Sequence, residues 1–517
     1  MPFLATPFLV VLAVPAWSQS APANLAPAVS CESLKSAAVP DVRVTDAVMV
    51  TPAAGAKDGP GAAHCRVRGV IGKEIKFEAL LPTGWNGRFL MGGGGGFVGS
   101  VQAPSGDELS AGYATVGTDT GHEGSPIQAG WALNNDERRI NFGSLAVHRT
   151  SETAKALIQR YYGRAAEKSY FLGCSNGGRQ AMMEAQRYPD DFDGIVAGAP
   201  AYNFTDIGIA FLKNIKAVLP NPAVLTPPLV SPAVLKMVET KVLAACDAKD
   251  GVTDGVLDDP RACDFKLGAI PPCPSDQAGD TCLTKAQRAA VEMIYRPVTG
   301  KDGLIYPGQP YGGEGEAGGW PAWISGVGSL FPVSGSTKAP SAQWAFGTEM
   351  FKYLVFNDST WDYAKYDLNK GRADTRKAAG FFNATSLDID RFTARGGKLI
   401  IWHGWSDPAL NALASIRYYQ QAVARRAALK GQLRLFLLPG VLHCAGGPAP
   451  DQVNWPVAIS DWVEHGKAPA RVLATKIGAD SKPTRSRPLC AYPEHAVWSG
   501  KGSSDDEANF SCRAAAR

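Results

Sequence analysis

The segment Gly173-Cys174-Ser175-Asn176-Gly177 sets a serine between two glycines, the arrangement in this chain best suited to covalent chemistry. A short apolar run, Ser169 to Leu172, precedes it, and a helix-like run, Arg179 to Arg187, follows. In that context G-x-S-x-G reads as a nucleophile elbow, a tight strand-to-helix turn with glycines where the neighbouring backbone leaves no room for side chains. A serine hydroxyl needs a base, and the base needs an acid to orient it. In the fold that carries this elbow the order is serine, acid, histidine, with the last two on loops after later strands. Asp407 follows the apolar run Lys398 to Trp402, and His443 follows Leu433 to Leu438. The expected roles are Ser175 as nucleophile, His443 as general base and Asp407 as the acid that fixes the imidazole. His122 and His403 also end strand-like runs and are expected to line the cleft, whereas His64, His148, His465 and His495 have no such placement. The oxyanion formed in acyl transfer needs preorganised N–H donors. Asn176 is expected to supply one, and the glycine run Gly92 to Gly96 the other, at Gly94.

The elements that must hold these residues alternate. Strand-like runs at Ile75–Leu80, Phe89–Met91, Ala114–Val116, Ser169–Leu172 and Gly194–Ala197 are interleaved with helical spacing at Ser151–Tyr162 and Arg179–Arg187. That rhythm predicts a parallel sheet covered on both faces, an α/β-hydrolase core. It breaks near Tyr202, where the chain turns rich in Pro, Gly, Trp and Cys, and resumes at Lys398. The expected organisation is a signal peptide at 1–20, a first core part at 21–202 that begins with an N-terminal strap, an inserted lid at 203–393, and a second core part with a tail at 394–517.

Composition agrees. Hydrophobic residues make up 45% and charged residues 19%, which is globular, and a net charge of +4 without a dense basic run gives no support to a nucleic-acid partner. Phe8 to Val14 followed by Ala16-Trp17-Ser18 reads as an export signal, and no later run is long and apolar enough to span a membrane. Ten cysteines, an even number with no C-x-x-C pair, suit disulfides in a secreted or periplasmic protein.

With these residues in place the chain resembles the tannase and feruloyl esterase family of exported serine esterases, from about Cys31 to Cys512. Cys174 precedes the serine and Cys444 follows the histidine. The resemblance implies a disulfide between them, and likewise Cys31–Cys65, Cys246–Cys263, Cys273–Cys282 and Cys490–Cys512. In the insertion, Cys246-Asp247-Ala248-Lys249-Asp250-Gly251-Val252-Thr253-Asp254-Gly255-Val256 is by itself equally a solvated acidic turn or a cation loop. The resemblance implies structural calcium, held by the side chains of Asp247, Asp250 and Asp254 and the carbonyls of Val252 and Val256. No organic cofactor is implied. The substrate it implies is a small aromatic ester, with walls drawn from Trp320, Trp323, Trp344, Trp361, Phe346 and Phe351. The branch that acts on terephthalate monoesters grips a free carboxylate with a lid arginine. Here no arginine lies between Arg296 and Arg372, and Gln343 stands near that place, which favours phenolic esters. The alternatives are that terephthalate-monoester activity, an acyltransferase using the same three residues, and a binding protein without turnover.

Overall fold

The computed structural model describes residues 24–52, 62–301, 303–326 and 339–514. The expected signal peptide lies outside the described residues. The strands of the first half are β1 (Val42–Val50), β2 (His64–Ile71), β3 (Ile75–Pro82), β4 (Arg88–Gly92), β5 (Ala114–Thr118), β6 (Lys168–Cys174) and β7 (Gly194–Gly198). A small hairpin, β8 (Val298–Gly300) and β9 (Gly303–Tyr306), stands apart, and β10 (Lys398–Gly404) and β11 (Leu433–Leu438) return to the main sheet. That sheet has nine strands in the order β1-β2-β3-β5-β4-β6-β7-β10-β11. From β5 to β11 every neighbouring pair is parallel. The strands β1, β2 and β3 extend the sheet in antiparallel fashion.

The parallel block is built from continuous apolar runs because helices cover both of its faces. All five residues of β7 are buried, as are six of the seven in β10. The helix Ala146–Tyr162 turns Val147, Thr150, Ala154, Leu157, Ile158 and Tyr161 inward and ends at Gly163, whose φ of 72° is the left-handed stop that glycine allows. The strap read at 21 to about 65 contains the strand β1 and ends where β2 begins. Val42–Val50 buries only Val44 and Ala47, so its signal is the weak alternation of an exposed edge strand. The chain before it is tied down by the Cys31–Cys65 disulfide and by Leu25 pairing with Trp85.

Among the described residues the stretch 203–393 adds no strand to the main sheet. It carries the helices Phe204–Val218, Pro232–Cys246, Lys285–Tyr295 and Ala342–Glu349, with the β8–β9 hairpin. Beyond β11 the helix Trp455–His465 packs under the sheet, and a three-stranded sheet and a further hairpin close the chain. No helix among the described residues is long and apolar enough to cross a membrane.

Candidate active site

Strand β6 ends at Cys174, and the helix Asn176–Arg187 starts one residue later. Ser175 occupies the turn between them with φ 64° and ψ −122°, a conformation that L side chains rarely adopt. The turn closes because Gly173 and Gly177 approach each other: a Cβ on Gly173 would stand 2.6 Å from the Gly177 carbonyl. The strain lifts the serine hydroxyl clear of the sheet edge.

Asp407 lies on the loop after β10, and His443 on the loop after β11. His443 Nε2 is 2.9 Å from Ser175 Oγ, and its Nδ1 is 2.8 Å from Asp407 Oδ2. A carboxylate only accepts, so the imidazole proton belongs on Nδ1 and the Nε2 lone pair faces the serine hydroxyl. The other Asp407 oxygen accepts the N–H groups of Ala409 and Leu410 at 2.8 and 2.9 Å. Burial by itself raises the Asp407 pKa, but the electrostatic attraction of His443 and hydrogen bonds from His403 and His443 outweigh it. The carboxyl is held well below the usual range and stays ionised.

His403 stands behind the acid, with Nε2 at 3.1 Å from the Leu410 carbonyl and 3.4 Å from Asp407 Oδ2, and Nδ1 at 2.8 Å from Ser415 Oγ. It does not line the cleft. Nor does His122, which is buried, stacks on Trp131 at 3.8 Å and meets the Phe97 carbonyl through Nε2.

A staple joins the Ser175 turn to the His443 loop. Cys174 and Cys444 form a disulfide across 270 residues of chain, with Cα atoms 6.0 Å apart. Cys31–Cys65, Cys246–Cys263, Cys273–Cys282 and Cys490–Cys512 are also bonded, and no cysteine among the described residues is free.

One donor assignment needs correction. The N–H of Gly94 donates to Gln180 Oε1 at 3.0 Å, so it is spent and cannot face an oxyanion. Among the described residues the N–H groups of Gly95, Gly96 and Asn176 have no protein partner, and Gly96 and Asn176 line the pocket beside Ser175. Sequence could not separate one glycine of the run from the next, because the side chain that occupies Gly94 comes from a distant helix.

The pocket at Ser175 has a volume of about 420 Å³. Its walls are mostly carbon: Phe97, Phe204, Phe211, Trp323, Phe346 and Met350 stand among them, and among the described residues His443 is the only ionisable lining residue. Trp323 meets the His443 ring edge-on at 4.8 Å and stacks with Phe346. Of the six aromatic residues considered from the sequence, Trp323 and Phe346 reach this pocket. Trp320 packs on Tyr295, and Phe351 and Trp361 stack on each other inside the insertion. Gln343 is not a lining residue either. It is buried, accepts from Asn214 at 3.0 Å and donates to the Pro408 carbonyl at 2.9 Å.

The acidic loop is wrapped around its own carboxylates. Asp247 accepts the N–H groups of Asp254 and Gly255, Asp250 those of Val252 and Asp258, and Asp254 that of Val256. Asp254 also pairs with Arg485 and Arg487. Among the described residues the carbonyls of Val252 and Val256 accept no hydrogen bond, and no three His, Cys, Asp or Glu side chains converge on one point. The donor set, carboxylates and carbonyls alone, fits a hard divalent cation in its chemistry.

A mostly parallel sheet with a serine at the turn after its central strand defines an α/β-hydrolase. The family model described as tannase and feruloyl esterase matches residues 62–513. The chain is 33% identical to mono(2-hydroxyethyl) terephthalate hydrolase of Piscinibacter sakaiensis, over 95% of this chain and 92% of that protein. It is 32% identical to feruloyl esterase B of Aspergillus niger, over 84% and 83%. The crystal structure of feruloyl esterase B from Aspergillus oryzae superposes with a TM-score of 0.81 at 29% identity, covering 93% of this chain and 99% of that one. The chain belongs to the tannase and feruloyl esterase family and is a carboxylic ester hydrolase.

Proposed function

We propose that this enzyme releases aromatic, phenolic acids from their esters through an acyl-enzyme on Ser175. The observation that carries the reading is the Ser175–His443–Asp407 chain of hydrogen bonds, set at the mouth of an apolar, aromatic-walled pocket. Ser175 Oγ attacks the acyl carbonyl as His443 Nε2 takes its proton, and Asp407 stabilises the imidazolium. The oxyanion is held by the Asn176 N–H and by the free N–H groups at Gly95 and Gly96. His443 returns the proton to the departing alcohol, then activates a water that releases the acid.

Apolar, aromatic walls of this kind suit a flat ring. A terephthalate monoester would bring a free carboxylate into a pocket that no Lys or Arg among the described residues lines, at a cost in desolvation that no described residue offsets. Phenolic esters carry no such charge. The test is a panel of methyl ferulate, methyl caffeate, methyl gallate and mono(2-hydroxyethyl) terephthalate, with Ser175→Ala alongside. Release of a phenolic acid, lowered at least about 10³-fold in the variant, is expected. Turnover of the terephthalate ester alone would replace the phenolic reading.

The stretch 203–393 serves as the lid over the acyl group, and calcium at Asp247, Asp250, Asp254 and the carbonyls of Val252 and Val256 orders its acidic loop. The unpartnered carbonyls support this. Chelation by EGTA should lower the melting temperature by a few degrees, reversed by calcium and not by magnesium; an unchanged transition would remove the ion from the account. The five disulfides support a location outside the cytoplasm, and the reading they favour is an exported enzyme, secreted or periplasmic.

A further inference from the structure

The helix that starts at the nucleophile carries a buried cation with no acid beside it. Arg179 is fully buried, and its charged partners among the described residues include no carboxylate. Its guanidinium donates to the carbonyls of Gly143 at 2.7 Å, Phe142 at 2.9 Å and Phe382 at 3.4 Å, and its Nε donates to Asn176 Oδ1 at 2.7 Å. The rings of Phe142 and Phe204 flank it at 4.8 and 5.4 Å. Burial lowers its pKa to about 9, so it remains charged at neutral pH. An apolar side chain of that size would fill the space without the desolvation cost. Packing alone therefore does not account for an arginine here.

Its nearest polar contact points to the reason. The Asn176 side chain that Arg179 holds donates through Nδ2 to the Gly94 carbonyl at 3.0 Å. The Gly94 N–H donates in turn to Gln180 Oε1 at 3.0 Å. One glycine thus has both polar groups gripped by the first turn of the nucleophile helix, across 82 and 86 residues of chain. The next two N–H groups of the run are the free ones, and Gly96 lines the pocket with Ser175.

We propose that Arg179 and Gln180, with the side chain of Asn176, are positioning residues for the oxyanion hole. They lock the glycine run to the helix, so that the Asn176 N–H and the free N–H groups after Gly94 stand at a fixed separation before charge develops. Donors already in place need no reorganisation during the reaction, and that is their catalytic value. The inference rests on Ser175 being the nucleophile.

The test compares Gln180→Leu, Arg179→Met and Arg179→Lys with the parent enzyme, on a soluble aromatic ester. An arylboronic acid, which bonds to a serine oxygen as a tetrahedral anion, reports on the hole; the free product acid reports on ground-state binding. Gln180→Leu and Arg179→Met should lower kcat about 10- to 100-fold with KM within about threefold. Boronate affinity should fall by the same factor as kcat, while product-acid affinity holds, and Arg179→Lys should fall between. A merely structural role would lower the melting temperature without tying kcat to boronate affinity, and would overturn the proposal. So would a folded Gln180→Leu with parental kcat and boronate affinity; that variant decides the matter if Arg179→Met does not fold. Activity surviving in Ser175→Ala would instead sink the reading beneath it.

Discussion

The two sides of the active site are held by different forces. Ser175 and His443 are stapled through their neighbours by the Cys174–Cys444 disulfide, which fixes two loops 270 residues apart in the chain. The acid has no staple. Its loop is held by hydrogen bonds from the insertion: Gln309 and Gln343 both donate to the Pro408 carbonyl, at 3.1 and 2.9 Å. The Tyr306 hydroxyl accepts from the Asn411 N–H at 3.0 Å, and Asn411 Nδ2 donates to the Gly308 carbonyl at 2.6 Å. The insertion therefore lines the pocket at Ser175 and also holds the Asp407 loop.

The difference can be tested from both sides. Asp407→Asn removes the acid itself and should cost the most, about 10⁴-fold in kcat with KM little changed, because the imidazole loses its tautomer. Steady-state kinetics on a phenolic ester checks this, and a loss below about tenfold would place the acid elsewhere. Replacing Cys174 and Cys444 together with alanine should cost up to about 5.6 kcal/mol of stability by the loop-closure argument. It should also lower kcat about tenfold through a looser Ser–His distance. Denaturant unfolding and kinetics measure the two effects. A stability loss with unchanged kcat would show that packing alone sets the pair.

The acid side should respond in smaller steps. The Pro408 carbonyl has two lone pairs and two amide donors, so Gln309→Leu or Gln343→Leu alone should lower kcat about twofold. The double variant should lose about tenfold, more than the product of the single losses. Equal and independent losses would mean that the two amides act on separate things.

Much of this site is legible in the sequence because its signals are local. Ser175 has a strand before it and a helix after it, and Asp407 and His443 each follow an apolar run. What was hidden depends on contacts between distant segments. Gln180 occupying Gly94, Gln309 and Gln343 meeting at Pro408, and Arg179 reaching Phe382 join residues 65 to 203 positions apart. A polar residue inside a helix or a Pro-rich stretch looks alike whether it meets solvent or a catalytic loop. The edge strand Val42–Val50 escaped for another reason: its exposed face weakens the apolar pattern that marks a covered strand.

The central claim is that Ser175 carries the acyl group. The most direct test mixes the enzyme with an activated aromatic ester, quenches in acid within the first turnovers, and maps the peptides by mass spectrometry. The account predicts the acyl mass on the peptide containing Ser175, with a burst of about one alcohol per chain. Acyl transfer to another residue, or turnover with that peptide unmodified and Ser175→Ala still active, would contradict it.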